Sequence, residues 1–309
     1  MTVEIAKRVP RFRPMPPKNL IAAVQKDCSL LVKVAFALGA VYCFAYYAPP
    51  MKAAVDGETS SLTRERIEAI LKSSKENALR GPVYGEDVKR YLDSLDALAR
   101  YDPGRTMKLV EEFRRAQPER EYDLWWIVMT AHGLVEFRDL CYDALSYREL
   151  FNQLPVEAQR YISTLGLLAV ADEGLEQAFT TNIYDVEWNY ALGCLEELGQ
   201  KQYVGLLRKV EGLFGPNGPP KDYDARQKVI DSMTASNPQS GAEEQGFGAL
   251  MLKIDKLYKE YAQSYEEATE LEKTDTHYLL SLYAAKHAEI LKKCVPLLKR
   301  HQKLLQGDN

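Results

Sequence analysis

Tyr161–Gln200 reads YISTLGLLAVADEGLEQAFTTNIYDVEWNYALGCLEELGQ. From Trp188 onward, Ala191, Leu192, Leu195 and Leu198 keep one helical face, and Gly199 suits the left-handed position just past a helix end. The same 40 residues carry seven carboxylates (Asp172, Glu173, Glu176, Asp185, Glu187, Glu196 and Glu197) and no lysine or arginine. Gly174, Gln177, Phe179 and Asn182 stand between the acids at short intervals. The stretch therefore reads as helical, negatively charged and without an obvious reaction to run.

Helical periodicity continues on both sides. Upstream, helices are expected over Leu62–Ala78 and over Asp87–Tyr101, the second broken by Asp102-Pro103-Gly104. Met107, Leu109, Val110 and Phe113 mark another, ended near Pro118, and Leu124–Leu140 reads as one core helix. Downstream come Tyr203–Phe214, a loop at Gly215–Pro220, a short helix over Asp222–Met233 and a flexible excursion at Thr234–Gly241. Phe247, Leu250, Met251, Ile254, Leu257, Tyr258 and Tyr261 give a strong amphipathic pattern. A last helix starts near Asp275, with Pro296 expected to kink or end it. No strict alternation argues for a sheet, so the fold class is all-α: a compact multi-helix domain.

Ser29–Ala48 (SLLVKVAFALGAVYCFAYYA) is a different kind of segment. Twenty residues make a helix of about 30 Å, enough to cross a bilayer core. Its one charge, Lys33, lies near one end, while Tyr42, Tyr46 and Tyr47 cluster at the other as an interface belt would. Basic residues from Lys7 to Lys26 precede it and only Lys52 follows closely. The bias places the amino terminus in the cytoplasm and the body beyond the membrane. The alternatives are a cleaved signal peptide or a buried soluble helix, the latter leaving the chain cytoplasmic.

Charge separates the same regions. Residues 1–60 hold eight Lys/Arg and four Asp/Glu; taken from chain totals of 40 and 44, they leave 32 basic and 40 acidic residues in 61–309, a net of −8. A body of that sign lacks the footprint for phosphates, so direct nucleic-acid binding is not expected. Cys28, Cys43, Cys141, Cys194 and Cys294 are spaced too widely for a zinc site or disulfide scaffold and read as buried free thiols. The four histidines stand in no ligand spacing, and the prolines of Gly215–Pro220 remove the donors a phosphate loop needs. No metal or cofactor is implied, and no catalytic residue is singled out.

The carboxylates remain. Glu173 and Glu176 would share a helix face at about 5–6 Å between β-carbons, Glu196 and Glu197 add a pair, and Glu266, Glu267, Glu270 and Glu272 form another acidic stretch. Rows of carboxylates on rigid helices attract basic surfaces by steering; the bland reading is a solvated face that keeps the chain soluble.

Asp139–His287 resembles the DNA-mimic-protein family, an all-α domain otherwise of unknown function. The resemblance is carried by Gly174, Gln177, Phe179 and Asn182, by Ala191, Leu195, Leu198 and Gly199, and by Phe214, Pro219, Arg226, Asp255, Tyr258 and His287. It departs from the family pattern at Asp172-Glu173, at Leu175 and at Ala178. The resemblance implies a helical protein-binding domain, in one case acting by imitating DNA.

The expected organisation is a basic leader (1–28), a transmembrane helix (29–48), a linker with accessory helices (49–138), the family-like domain (139–295) and a polar tail (296–309). The expected function is a membrane-anchored interaction domain that binds a basic protein partner through Glu173, Glu176, Asp185, Glu187, Glu196 and Glu197. Gly174, Gln177, Phe179, Asn182 and Gly199 are expected to be structural. Two alternatives stand beside this: a cytoplasmic DNA mimic that occupies a DNA-binding protein, and a carboxylate-dependent hydrolase.

Overall fold

The computed structural model describes residues 63–80, 85–171, 174–180, 183–265 and 268–306. The leader 1–28 and the apolar run 29–48 lie outside them. Among the described residues no helix is long and apolar enough to cross a membrane.

Helices α1 (Arg64–Arg80), α2 (Glu86–Ala99) and α3 (Pro103–Ala116) come first. The Asp102-Pro103-Gly104 breaker also starts the next helix. Asp102 caps α3 by accepting from the Arg105 amide at 3.0 Å, with Pro103 just inside, where its missing N–H costs nothing. The expected single helix over Leu124–Leu140 is instead two, α4 (Glu121–Ala131) and α5 (Val135–Cys141). Gly133, at φ +65°, turns the chain between them in a conformation other residues avoid. Ile67, Tyr91, Leu95, Phe113 and Leu124 fill the core of α1–α4, and Tyr278 joins it from far along the chain.

Two short helices, α6 (Asp143–Ser146) and α7 (Arg148–Gln153), lead into α8 (Val156–Ala171). The apolar side chains of α8 bury around much of its circumference, as in a central helix, and Tyr161, Ile162 and Leu165 anchor a second core with Phe137, Phe151 and Leu291. Then follow α9 (Gln177–Thr180), α10 (Ile183–Glu197), α11 (Lys201–Gly212), α12 (Tyr223–Asp231) and α13 (Phe247–Tyr265). These build a third core from Phe179, Trp188, Leu195, Leu207, Phe214 and Leu250. Short α14 (Glu270–Lys273) precedes α15 (Thr276–Lys286) and α16 (Ala288–Gln306).

Two departures from the expected pattern are local. Thr234–Ser236 and Glu243–Gln245 pair as a small antiparallel ribbon, with Ala235 opposite Glu244; strands of three residues are too short to show alternation. The expected polar tail 296–309 is not a separate segment. Pro296 sits inside α16, where Leu291, Cys294 and Leu298, all buried, hold the helix across it. Tertiary packing overrides the local penalty. The chain breaks instead at His287, the cap between α15 and α16.

Leu62–Asn309 form one compact unit. The helices of 62–138 share it with the family-like stretch: the Asp275 amide donates to the Glu121 carboxylate at 2.7 Å across 154 residues. Cys141, Cys194 and Cys294 are buried, as expected of small apolar thiols.

Candidate functional site

Between α8 and α10 the chain makes a tight passage that positions every described residue of the glycine–glutamine–phenylalanine motif. Gly174 takes φ +131°, and its carbonyl accepts from the Gln177 amide at 2.9 Å to start α9. A Cβ at Gly174 would meet the Glu176 carboxylate, the movable end of a side chain that folds back over it, so it is the backbone φ that calls for glycine. Phe179 is fully buried, its ring centroid 5.1 Å from that of Trp188 and 4.9 Å from that of Phe214. Its carbonyl accepts from Arg226 Nε at 2.6 Å, and Arg226, itself fully buried, donates onward to the carbonyls of Pro220 and Lys221. Phe179, Phe214 and Arg226, scattered over 48 residues of sequence, thus meet at one point. The Gln177 side-chain oxygen accepts from the Thr180 hydroxyl at 3.1 Å, one turn on.

Gly199 stands where the sequence placed it, at φ +79° just beyond α10. Its amide donates to the Glu196 carbonyl and that of Gln200 to Leu195, both at 3.0 Å, the paired bonds of a Schellman cap. A Cβ here would meet Leu271 Cδ2 at 2.5 Å, the tip of a half-exposed side chain that can turn aside, so φ rather than contact calls for glycine. The Gln200 side chain fastens the same helix by donating to the Leu271 carbonyl at 2.8 Å.

The acids do not form one open row. Glu173 and Asn182 lie outside the described residues, and Asp185 and Glu187 lie on α10 with side chains that are not described. Glu176 lies in a turn, Gly174–Glu176, between α8 and α9 and not on a helix. Glu196 pairs with Arg208 at 2.7 Å. Glu197 is a hub: Arg160 reaches it at 3.0 Å, Lys286 at 2.7 Å and His287 Nε2 at 3.6 Å. The Lys286 ammonium above all holds the Glu197 carboxyl below the usual range. The lack of local cations in sequence is thus made good by residues 37 and 89 positions away. Sequence reasoning missed Arg160, Arg208 and Lys286 as partners, and no signal in the sequence pairs them.

Glu176 differs. Burial pushes its carboxyl above the usual range, its own backbone amide opposes this, and the Asp255 carboxylate on α13 raises it further. Among the described residues no cation pairs with Glu176 or Asp255. The field of Asp255 thus adds to burial at Glu176, and an incoming cation would oppose both. Asp255 was legible only as a residue of the family resemblance, not as part of a site.

Catalysis by carboxylates would call for acids of raised pKa converging in a concavity. The described carboxyls held high are Asp93, Asp96 and Glu176, in each case chiefly by burial. Two cavities, of about 680 and 400 Å3, lie along α1 and α3, and none of the three lines either. No family model, curated protein or solved structure matches the chain.

Proposed function

We propose that this chain is a membrane-anchored helical protein-interaction domain of the DNA-mimic-protein type, and that a basic protein docks at Glu176, with Asp255 adding to the negative field there. The observation that carries this is a half-buried carboxylate with no cation partner among the described residues, held high chiefly by burial. Glu196 and Glu197 already hold cations of their own chain, so a partner would have to displace Arg208, Arg160 or Lys286 to use them. A lysine or arginine reaching Glu176 displaces nothing, gains a charge-assisted contact and lowers the carboxyl's pKa. The net charge of −8 on residues 61–309 adds long-range attraction. The family likeness supports the reading through its meeting point at Phe179, Phe214 and Arg226, which makes those residues scaffold and leaves the acids for contact.

The test is capture of partners by residues 62–309 at low and high salt, with Glu176 and Asp255 both changed to lysine. Binding should fall steeply with salt, since exposed charges are screened over about 10 Å at 0.1 M, and should be lost on double reversal. Reversal of Glu196 alone should matter less. Capture indifferent to both salt and the double reversal rejects the reading.

The anchor is proposed from the length and flanking charge of residues 29–48. Carbonate washing should leave the full chain in the membrane pellet and release a chain lacking 1–61. Release of both means no anchor, and would favour the cytoplasmic mimic.

A further inference from the structure

The sign of the charge reverses at the far end of the chain. Residues 61–309 carry a net −8, yet α16 holds Lys292, Lys293, Lys299, Arg300 and Lys303 against a single acid, Glu289, for a net of +4. Leu291, Cys294 and Leu298 bury one side of that helix, and all five cations stand exposed on the other. Two of them are engaged: Lys299 binds Glu136 on α5, and Lys292 binds Glu289. Lys293, Arg300 and Lys303 have no carboxylate partner among the described residues.

Apolar surface stands among these three cations. Leu304 is 64% exposed and lies four residues after Arg300, one turn on along the same side. Tyr147, 38% exposed, holds its ring centroid 4.5 Å from that of His301, which lies between them on α16. Arg148 and Glu149, next to Tyr147, are both exposed and offset each other. A bilayer interface takes this mixture whole: lipid phosphates accept from lysine and arginine, leucine enters the acyl boundary, and tyrosine sits at headgroup level. A nucleic-acid backbone would use the cations and has no place for the leucine.

We propose that the outer side of α16, at Lys293, Arg300, Lys303 and Leu304 with Tyr147 beside it, docks on the surface of an anionic phospholipid bilayer. The helix lies along the headgroups and keeps Leu291, Cys294 and Leu298 in the protein core. This contact goes beyond the proposed anchor at 29–48, since it needs none of those residues. It also leaves the acidic site untouched, because Glu176 and Asp255 stand on other elements.

Vesicle co-sedimentation with a chain lacking residues 1–61 provides the test; three hydrophobic cores close within 62–309, so that unit stands without the anchor. The vesicles are phosphatidylcholine alone and phosphatidylcholine with phosphatidylserine at about two to one. Binding should appear on the anionic vesicles only and weaken with salt. Arg300→Ala with Lys303→Ala should weaken it about 25-fold, about five-fold for each cation. Leu304→Ser should weaken it by the same factor at low and high salt, because its share is apolar. All three residues are exposed, so Tm should hold in every variant. Equal binding or none on the two vesicles, or affinity unchanged by the double alanine variant or by Leu304→Ser, overturns the proposal. So does tighter binding to polyglutamate or a DNA duplex than to the anionic vesicles, which would assign the face to an acidic macromolecule. Carbonate washing of the full chain reads residues 29–48 separately, so either reading can fail while the other stands.

Discussion

Replacing Phe179 with alanine isolates the ring from the rest of its junction. The Arg226 bond at 2.6 Å is to the Phe179 backbone carbonyl, so it survives the substitution. What is removed is a fully buried ring between Trp188 and Phe214, at centroid distances of 5.1 and 4.9 Å. Large-to-small changes of this kind cost about 3–5 kcal/mol, transfer and cavity together. The two ring contacts, each within the favourable range for aromatic pairs, place this site toward the upper end. For a unit of about 250 residues each kcal/mol moves Tm by roughly 2 °C, so a fall of about 6–10 °C is expected. Thermal melts followed by circular dichroism measure it, and urea unfolding should show the midpoint falling with the slope kept. Phe179→Leu should recover much of the loss. A Tm unchanged within error for the alanine variant would refute the reasoning, and unchanged Tm with lost partner binding would make Phe179 a contact residue instead.

Two further perturbations read the glycine cap and the acidic pair. Gly199→Ala should cost about 1–2 kcal/mol from the left-handed backbone; adding Leu271→Ala relieves only the contact with Cδ2, so the double variant should stay well below wild type in a urea titration. Glu176→Gln should raise stability at neutral pH, because a carboxyl whose folded pKa lies above its unfolded value destabilises the fold once ionised. That gain should shrink as pH falls through Glu176's raised pKa and vanish below the ordinary carboxylate range, which paired titrations across pH would show. A gain that is absent at pH 7, or that persists in acid, would mean Glu176 is already compensated.

The helical class and most helix spans were legible because amphipathic periods of three and four residues run through 247–261 and 188–198 over several turns each. Gly199 was legible too, since a glycine after a periodic run has one common use. The split at Gly133 was not, because large apolar residues continue on both sides and hide the break. Pro296 misled in the opposite direction: its local penalty is visible in sequence, while the packing of Leu291 and Leu298 that outweighs it is not. For the site, the string of acids was plain but its electrostatics were not. Arg160 and Lys286 reach Glu197 only after α8, α10 and α15 pack, and Glu176 loses its solvent only once Gly174 turns the chain.

Arg226 has a consequence for how the unit opens. One guanidinium holds the carbonyl of Phe179 and those of Pro220 and Lys221, segments about 40 residues apart. Neither segment can leave its place without stranding the buried cation against bare backbone, so fluctuations of the two are tied. Amides of α9 and of the start of α12 should therefore exchange with deuterium as one cooperative unit, with a common opening free energy, although one element is four residues long and the other ends a proline-rich loop. A short helix that would fray by itself borrows its persistence from a distant side chain.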